Sequence, residues 1–470
     1  MSFTRSFAVI LLILWPSAAP ADGPVTLPNT KPLTWEGDLS ERMMDGLHRY
    51  IERKIAESVE RRSEYWRRDF SSAEAYEQSI RPNRERLAKI LGIVNPRVPV
   101  RMERFGDDEN PALVARTDRY SVYQVRWPVL EGVFGEGLLL EPAAEPVGHA
   151  VAIPDADQTP EQITGLAPGV PNESQFARRL AENGFRVVVP AILDRSDEWS
   201  GNPRIAMTNQ PHREWIYRQA FQMGRHVIGY EVEKVLAAVD WLLARTGDDA
   251  KVGVAGYAEG GLLASYAAAV DPRIDACLVS GYFDSRQTVW TEPIYRNVWG
   301  LLREFGDAEI ATLVAPRGLV VEYSEVPLVT GPPPQREGRR GGGAAGELKT
   351  SPYSSVLDEF NRIDTLIPPG FQKKHLTSGP GEGPIGPGSQ EAIEKFAGLL
   401  GIVSSMSISD EVPADGRKRF DPTERQRRQV SELENHVQWL VRDADHTRDQ
   451  FFLAKAAPEY EKQRGRWITG

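Results

Sequence analysis

The chain has 470 residues, a formal net charge of −10 at pH 7 and a single cysteine. That length holds one large domain with additions, or two domains. The interspersed charges give no basic stripe for a nucleic acid, and one thiol excludes an intrachain disulfide.

The first residues carry the marks of an export signal. Arg5 gives a positive start, Phe7 to Trp15 an apolar core, and Ala19-Pro20-Ala21 small residues for cleavage. The apolar run is shorter than the ~20 residues a membrane span needs. Residues 1–21 are read as a signal peptide. The mature chain is expected to be exported, periplasmic or extracellular, with no membrane attachment after cleavage.

Residues 30–110 read as an N-terminal helical arm. Leu39 to Leu91 is charged, with Leu47, Tyr50, Ile51 and Ile55 at turn spacing, and Pro96 to Pro111 is turn-rich. Strands then begin. Tyr120 to Val129 and Gly132 to Leu140 are separated by a short turn, which predicts a hairpin. His149 to Ile153 is a third strand, Glu173 to Asn183 a helix and Phe185 to Pro190 a buried strand. Val232, Val235, Leu236, Val239, Leu242 and Leu243 share one face of a helix over Glu231 to Leu243.

Lys251 to Val270 (KVGVAGYAEGGLLASYAAAV) comes next. It reads as a buried strand, a turn through Gly256, Gly260 and Gly261, and an alanine-rich helix. Further strands are expected over Asp275 to Ser280, Pro316 to Ser324 and Phe371 to Thr377, with a helix over Ser389 to Leu400. Cys277 is expected as a small buried hydrophobe. This alternation predicts an α/β protein with a mostly parallel central sheet flanked by helices. Gly331 to Gly346 is a low-complexity insertion between core elements.

Residues 115–402 make this α/β domain, and residues 403–470 a linker and helical tail. Within the tail, Pro422 to Phe452 reads as one helix with a stripe of Val430, Leu433, Val437, Leu440 and Val441. The tail either lies back on the body or meets a protein partner or a second hydrolase domain.

A strand entering a helix through this glycine turn is the sequence form of a nucleophile elbow. From about Tyr120 to Leu400 the chain resembles secreted bacterial α/β-hydrolases of the dienelactone hydrolase and acetyl xylan esterase type. The resemblance rests on GYAEGG with its alanine-rich helix, Asp271-Pro272-Arg273-Ile274 after it, Val239-Asp240-Trp241-Leu242 before it, and Ala315-Pro316-Arg317-Gly318-Leu319 further on. It implies an α/β-hydrolase fold with N- and C-terminal helical extensions. It implies ester or lactone hydrolysis by a nucleophile, a His and an acid, and no cofactor.

This chain departs from that pattern. Ala258 stands at the nucleophile position, and a methyl group cannot attack a carbonyl. Glu259 beside it is expected as a solvated or helix-N-terminal carboxylate, and otherwise as a nucleophile or base. The acid position offers Glu322 and Glu325, with Glu325 past the strand end. The loop expected to carry the His is Gly379 to Gly388, which has none; His375, a few residues earlier in the strand, is the candidate that either faces the pocket or packs within the strand. The oxyanion loop reads Pro154-Asp155-Ala156-Asp157-Gln158, with two carboxylates that would repel an oxyanion.

Asp155 and Asp157 read as turn residues capping amides, or as ligands to a hard cation; no metal motif is present. Asn209 to Gly229, which carries His212, Arg213, Trp215 and His226, either forms a lid, since it lies where family lids sit, or packs against the sheet. Asp155, Asp157, His212, Arg213 and Trp215 are candidate contacts to a small-molecule or carbohydrate ligand. The expected function is a catalytically degenerate hydrolase that binds such a ligand or supports an active partner. The alternative is an active esterase in which His212 or His226 works with Glu259 or Asp155.

Overall fold

The structure, a computed structural model, describes residues 26–202, 204–205, 209–246, 250–402, 406–409 and 412–452. The signal segment read at residues 1–21 lies outside them. The chain divides into two units, residues 1–54 and 55–470. In the first, the described residues include the start of helix α1 (Leu39–Arg61), where Met43, Met44, Leu47, Tyr50 and Ile51 are exposed.

The second unit opens on helix α2 (Ala73–Ile90), capped by Ser72, whose hydroxyl accepts the Ala75 amide. Buried Tyr76 donates to the Thr312 carbonyl at 2.7 Å, and Arg84 to that of Leu313 at 3.0 Å. This part of the arm is therefore fastened to the body through groups on α2's inner face.

The described strands are β1 (Glu103–Arg104), β2 (Leu113–Arg116), β3 (Tyr120–Leu130), β4 (Val133–Pro142), β5 (Gly148–Ile153), β6 (Phe185–Pro190), β7 (Val252–Tyr257), β8 (Ala276–Ser280), β9 (Gly318–Glu322), β10 (Val329–Gly331), β11 (Gly346–Leu348) and β12 (Lys373–Thr377). The remaining described helices are α3 (Pro160–Ile163), α4 (Phe176–Glu182), α5 (His212–Phe221), α6 (Val227–Thr246), α7 (Glu259–Val270), α8 (Leu301–Glu304), α9 (Asp307–Val314), α10 (Tyr353–Leu366), α11 (Gln390–Leu399) and α12 (Pro422–Phe452).

The main sheet runs β1-β3-β4-β6-β5-β7-β8-β9-β12, with β2 also paired to β3. From β6 to β12 neighbouring strands are parallel; β3 and β4 form the predicted hairpin, and β4 joins β6 antiparallel. This is an α/β-hydrolase fold. Every residue of β5, β6, β7, β8 and β9 is buried, as strands covered on both faces require. Cys277 lies buried in β8, and burial pushes its thiol pKa up.

β7 and α7 meet where only glycine fits. A Cβ at Gly256 would lie 2.0 Å from the Gly260 carbonyl oxygen, and one at Gly260 would lie 2.2 Å from that of Ile153. The low-complexity insertion is closed at its base by the β10–β11 pair. It is pinned to the segment before and within α5, where the Gln210 amide donates to the Gly342 carbonyl at 2.9 Å and the Ala344 amide to Glu214 Oε1 at 2.9 Å.

α12 spans the residues predicted for it. Val430, Leu433 and Val437 are buried against the body, while Leu440 is half-buried and Val441 exposed. Arg428 pairs with Glu136 at 2.8 Å, and Lys234 Nζ donates to Gln429 Oε1 at 2.5 Å. The first part of the tail helix thus lies back on the body. No helix among the described residues is long and apolar enough to cross a membrane.

Candidate functional site: a closed elbow

The chain turns from β7 into α7 at Ala258, with φ 50° and ψ −107°. That conformation is costly for any residue with a Cβ. It is held because the Ala258 amide donates to the Ser280 carbonyl at 2.9 Å and its carbonyl accepts from the Leu262 amide at 3.1 Å. The backbone is that of a nucleophile elbow, with a methyl at its apex.

In such an elbow the amide of the next residue holds the oxyanion. Here the Glu259 amide donates to Asp155 Oδ1 at 3.1 Å. Asp155 comes from the loop after β5, the loop that would give the second oxyanion donor. The chain's own carboxylate therefore sits where an anionic intermediate would have to form. The Asp155 side chain also accepts from the Asp157 amide at 3.1 Å, the capping role read for it in the sequence.

Arginines fix this arrangement. Arg195 reaches Asp155 at 2.7 and 2.9 Å, Asp157 at 2.8 Å, Glu259 at 3.3 Å and the Tyr295 hydroxyl at 3.0 Å. Arg213 donates to Glu259 at 3.1 Å, to Glu231 at 2.8 and 2.9 Å, and to the Leu193 carbonyl at 2.8 Å. Arg296 reaches Glu259 at 2.9 and 3.0 Å and Glu292 at 3.0 Å. Burial alone would push both carboxyls up. For Asp155 the Arg195 charge outweighs it, and for Glu259 the charges of Arg296, Arg213 and Arg195 do, so each is held at about 2.

Glu259 is thus not the solvated carboxylate expected from the sequence. It is fully buried and shared among three guanidiniums. An anion so paired is a poor nucleophile and a poor base. The cavity over the ends of β8 and β9, lined by Tyr282, Arg296, Glu322 and Ser324 among others, holds about 30 Å³. That suits a water or two, against the ~300 Å³ or more of a ligand pocket.

Of the two carboxylates near the acid position, Glu322 is buried and Glu325 is not. Glu322 accepts from Ser280 Oγ at 2.7 Å and from the Gly388 and Ser389 amides at 2.7 and 2.8 Å. Glu325 is exposed, and its backbone carbonyl accepts the Tyr257 hydroxyl at 2.7 Å. The loop that would carry a histidine instead offers backbone amides to Glu322. A Cβ at Gly386, where φ is 85°, would lie 2.6 Å from its Oε2.

The imidazoles are engaged elsewhere. His212 Nδ1 donates to Asp194 at 2.6 Å, and Nε2 accepts the Trp199 amide at 2.8 Å. His226 Nδ1 accepts the Ile228 amide at 3.1 Å, and Nε2 donates to the Asn297 carbonyl at 3.2 Å. Burial lowers the His226 pKa to about 4. His375 lies in β12 beside Val320, with Lys395 and Glu391 of α11 as its charged neighbours; burial and Lys395 lower its pKa. None of the three faces Ala258 with a free nitrogen.

The ligand candidates also separate. Asp155, His212 and Arg213 are buried inside the network. Asp157 is exposed, beside a cleft of about 240 Å³ shared with Asp194, Gln426 and others. Trp215 donates from Nε1 to Glu434 of α12 at 2.5 Å. No cluster of three or more His, Cys, Asp or Glu able to hold a metal ion occurs among the described residues. Sequence reading missed Arg195, Arg296 and Tyr295. The available signal was a charged run, Asp194-Arg195-Ser196-Asp197, directly after the buried strand β6.

The model of the dienelactone hydrolase family matches residues 161–289, a stretch that includes the elbow. No curated protein matches the chain. Acetyl xylan esterase 1 from Thermoanaerobacterium sp. aligns at 14% identity and TM-score 0.42, covering 69% of this chain and 94% of the other. A glucuronoyl esterase from Solibacter usitatus aligns at 13% identity and TM-score 0.44, covering 70% and 94%. An acetyl xylan esterase from Paenibacillus sp. R4 aligns at 16% identity and TM-score 0.41, covering 72% and 98%. The chain is an α/β-hydrolase-fold protein, similar to dienelactone hydrolases over the matched stretch.

Proposed function

We propose that this protein is a non-catalytic derivative of an esterase-like α/β-hydrolase, exported by its N-terminal segment. The observation that carries the reading is the Asp155 carboxylate on the Glu259 amide, next to a methyl at the elbow apex. Nucleophile, oxyanion donor and general base are all unavailable there, and each contributes a factor of ~10² or more to a hydrolase. Because the old pocket is filled by the protein's own charges, any ligand has to bind outside it. The alternative, an active esterase with relocated groups, needs an imidazole nitrogen that His212 and His226 do not have to spare.

The test is incubation of the purified full chain with p-nitrophenyl acetate, acetylated xylo-oligosaccharides, a glucuronate methyl ester and a dienelactone. No turnover above buffer is expected. Turnover that disappears in Asp155→Asn or Glu259→Gln would overturn the reading.

A further inference from the structure

α5, α12 and the segment around Gly201 and Ile205 border an open cleft of about 750 Å³ that shares no residue with the elbow. Trp215 and Gln219, one turn apart on α5, form one wall; Glu434, Asn435 and Gln438 of α12 form the other, and Arg204 lies at its side. Trp215 is half-buried against the core, and its indole N–H is fixed on Glu434 at 2.5 Å. The ring is therefore held in one orientation before any ligand arrives. Asn435 and Gln438 are exposed and have no hydrogen-bond partner among the described residues.

The lining selects a ligand class. One arginine and one carboxylate give the cleft no net charge, so a polyanion gains little there. A protein hot spot or a lipid surface needs a contiguous apolar area of several side chains, and here Trp215 and Ile205 are the two large apolar groups among Asn202, Gln219, Asn435 and Gln438. A carboxamide both donates and accepts, as a hydroxyl does. An indole face offers a flat apolar surface to a ring's C–H face.

We propose that the α5–α12 cleft binds a neutral saccharide, seated on Trp215 and hydrogen-bonded by Gln219, Asn435 and Gln438. The site depends on α12, so it arises from the C-terminal extension and not from the hydrolase core. It stands whether or not the elbow is silent.

The test is calorimetry and ligand-observed NMR on the full chain, using xylotriose, cellotriose, maltotriose and laminaritriose, with a sulfated and a uronic trisaccharide as charged controls. At least one neutral trisaccharide is expected to bind. Asn435→Ala/Gln438→Ala, which touches only exposed side chains, should weaken it by about tenfold or more, and Trp215→Ala should abolish it. Circular dichroism checks that Trp215→Ala folds; the double variant decides the matter if it does not. Absence of binding at about 10 mM, unchanged affinity in the double variant, or preference for a charged trisaccharide would each overturn the assignment. Ester turnover bears only on the elbow and leaves this result unaffected.

Discussion

Asp155 and Glu259 are joined by a hydrogen bond that occupies the donor an esterase keeps for its substrate. The Glu259 amide points at Asp155 Oδ1, 3.1 Å away, and Arg195 grips the same carboxylate at two further points. On the proposed non-catalytic reading, restoring a hydroxyl at the apex does not by itself give an esterase. Ala258→Ser is expected to hydrolyse p-nitrophenyl acetate no more than about tenfold faster than wild type, since base and oxyanion donor remain missing. An assay with millimolar substrate and micromolar protein decides it. A larger gain would mean that Asp155 yields its place to an acyl group.

Ala258 keeps φ 50° and ψ −107° although no reactive group remains to profit from it. A strained residue of this kind costs ~1–3 kcal/mol, and glycine relieves the strain at an entropic cost of ~0.5–1 kcal/mol. Ala258→Gly should therefore raise stability by about 1 kcal/mol, read from urea unfolding with unchanged slope. A loss of stability would show that the Cβ packs well enough to outweigh its backbone.

Glu259 is the common anion of Arg195, Arg213 and Arg296, all nearly or fully buried. Glu259→Gln keeps the shape and removes the charge, leaving guanidiniums short of a counter-ion. Removing one partner of a buried ion pair costs ~3–5 kcal/mol. A clear fall in Tm is expected, with Arg213 still partly served by Glu231. An unchanged Tm would mean that water or rearranged carboxylates already screen the cluster.

The same pair sets an acid limit. Asp155 and Glu259 have folded pKa values near 2, below the ordinary 3.8 and 4.5. A depressed carboxyl contributes stability that is full above its unfolded pKa and is lost as pH falls through the folded one. Stability should thus hold down to about pH 5 and fall by a few kcal/mol from there towards pH 2. In Glu259→Gln the fall should be shallower, because one of the two protons is no longer taken up. Thermal melts across that range, for both proteins, read the difference.

The fold was legible because it is written in local pattern. The buried runs Phe185 to Pro190 and Lys251 to Ala255 and the 3.6-residue stripe of α6 each follow from period and composition. The methyl at the apex was legible too, since one residue, Ala258, supplies it. The plug was not. Arg195, Arg213 and Arg296 come from three separate loops and helices, and only the folded sheet brings them to Glu259. Glu322 was passed over for Glu325 because strand ends are uncertain by a residue or two. The segment holding α5 was read as a lid because it falls between the fourth strand and the helix before the elbow, where family lids sit. Arg213 is satisfied internally by Glu231 and Glu259, partners distant in sequence, while Arg218 pairs with Glu214 one turn away.

Glu233 on α6 offers a test away from the elbow. Its carboxyl is 1% exposed, Oε1 has no hydrogen-bond partner among the described residues, and burial pushes its pKa up to about 8 against the pull of Arg97 and Arg225. The folded protein therefore holds this group neutral at pH 7, while the unfolded chain ionises it near 4.5. A raised carboxyl gives stability that is complete below the unfolded pKa and is lost as pH rises through the folded one. Glu233→Gln mimics the neutral form at every pH. Variant and wild type should match near pH 4, and the variant should gain on the order of 5 kcal/mol by about pH 8.5. Urea unfolding at the two pH values measures the gap. Equal stability at both would mean that Glu233 is ionised in place, with Arg97 and Arg225 as its true counter-charges.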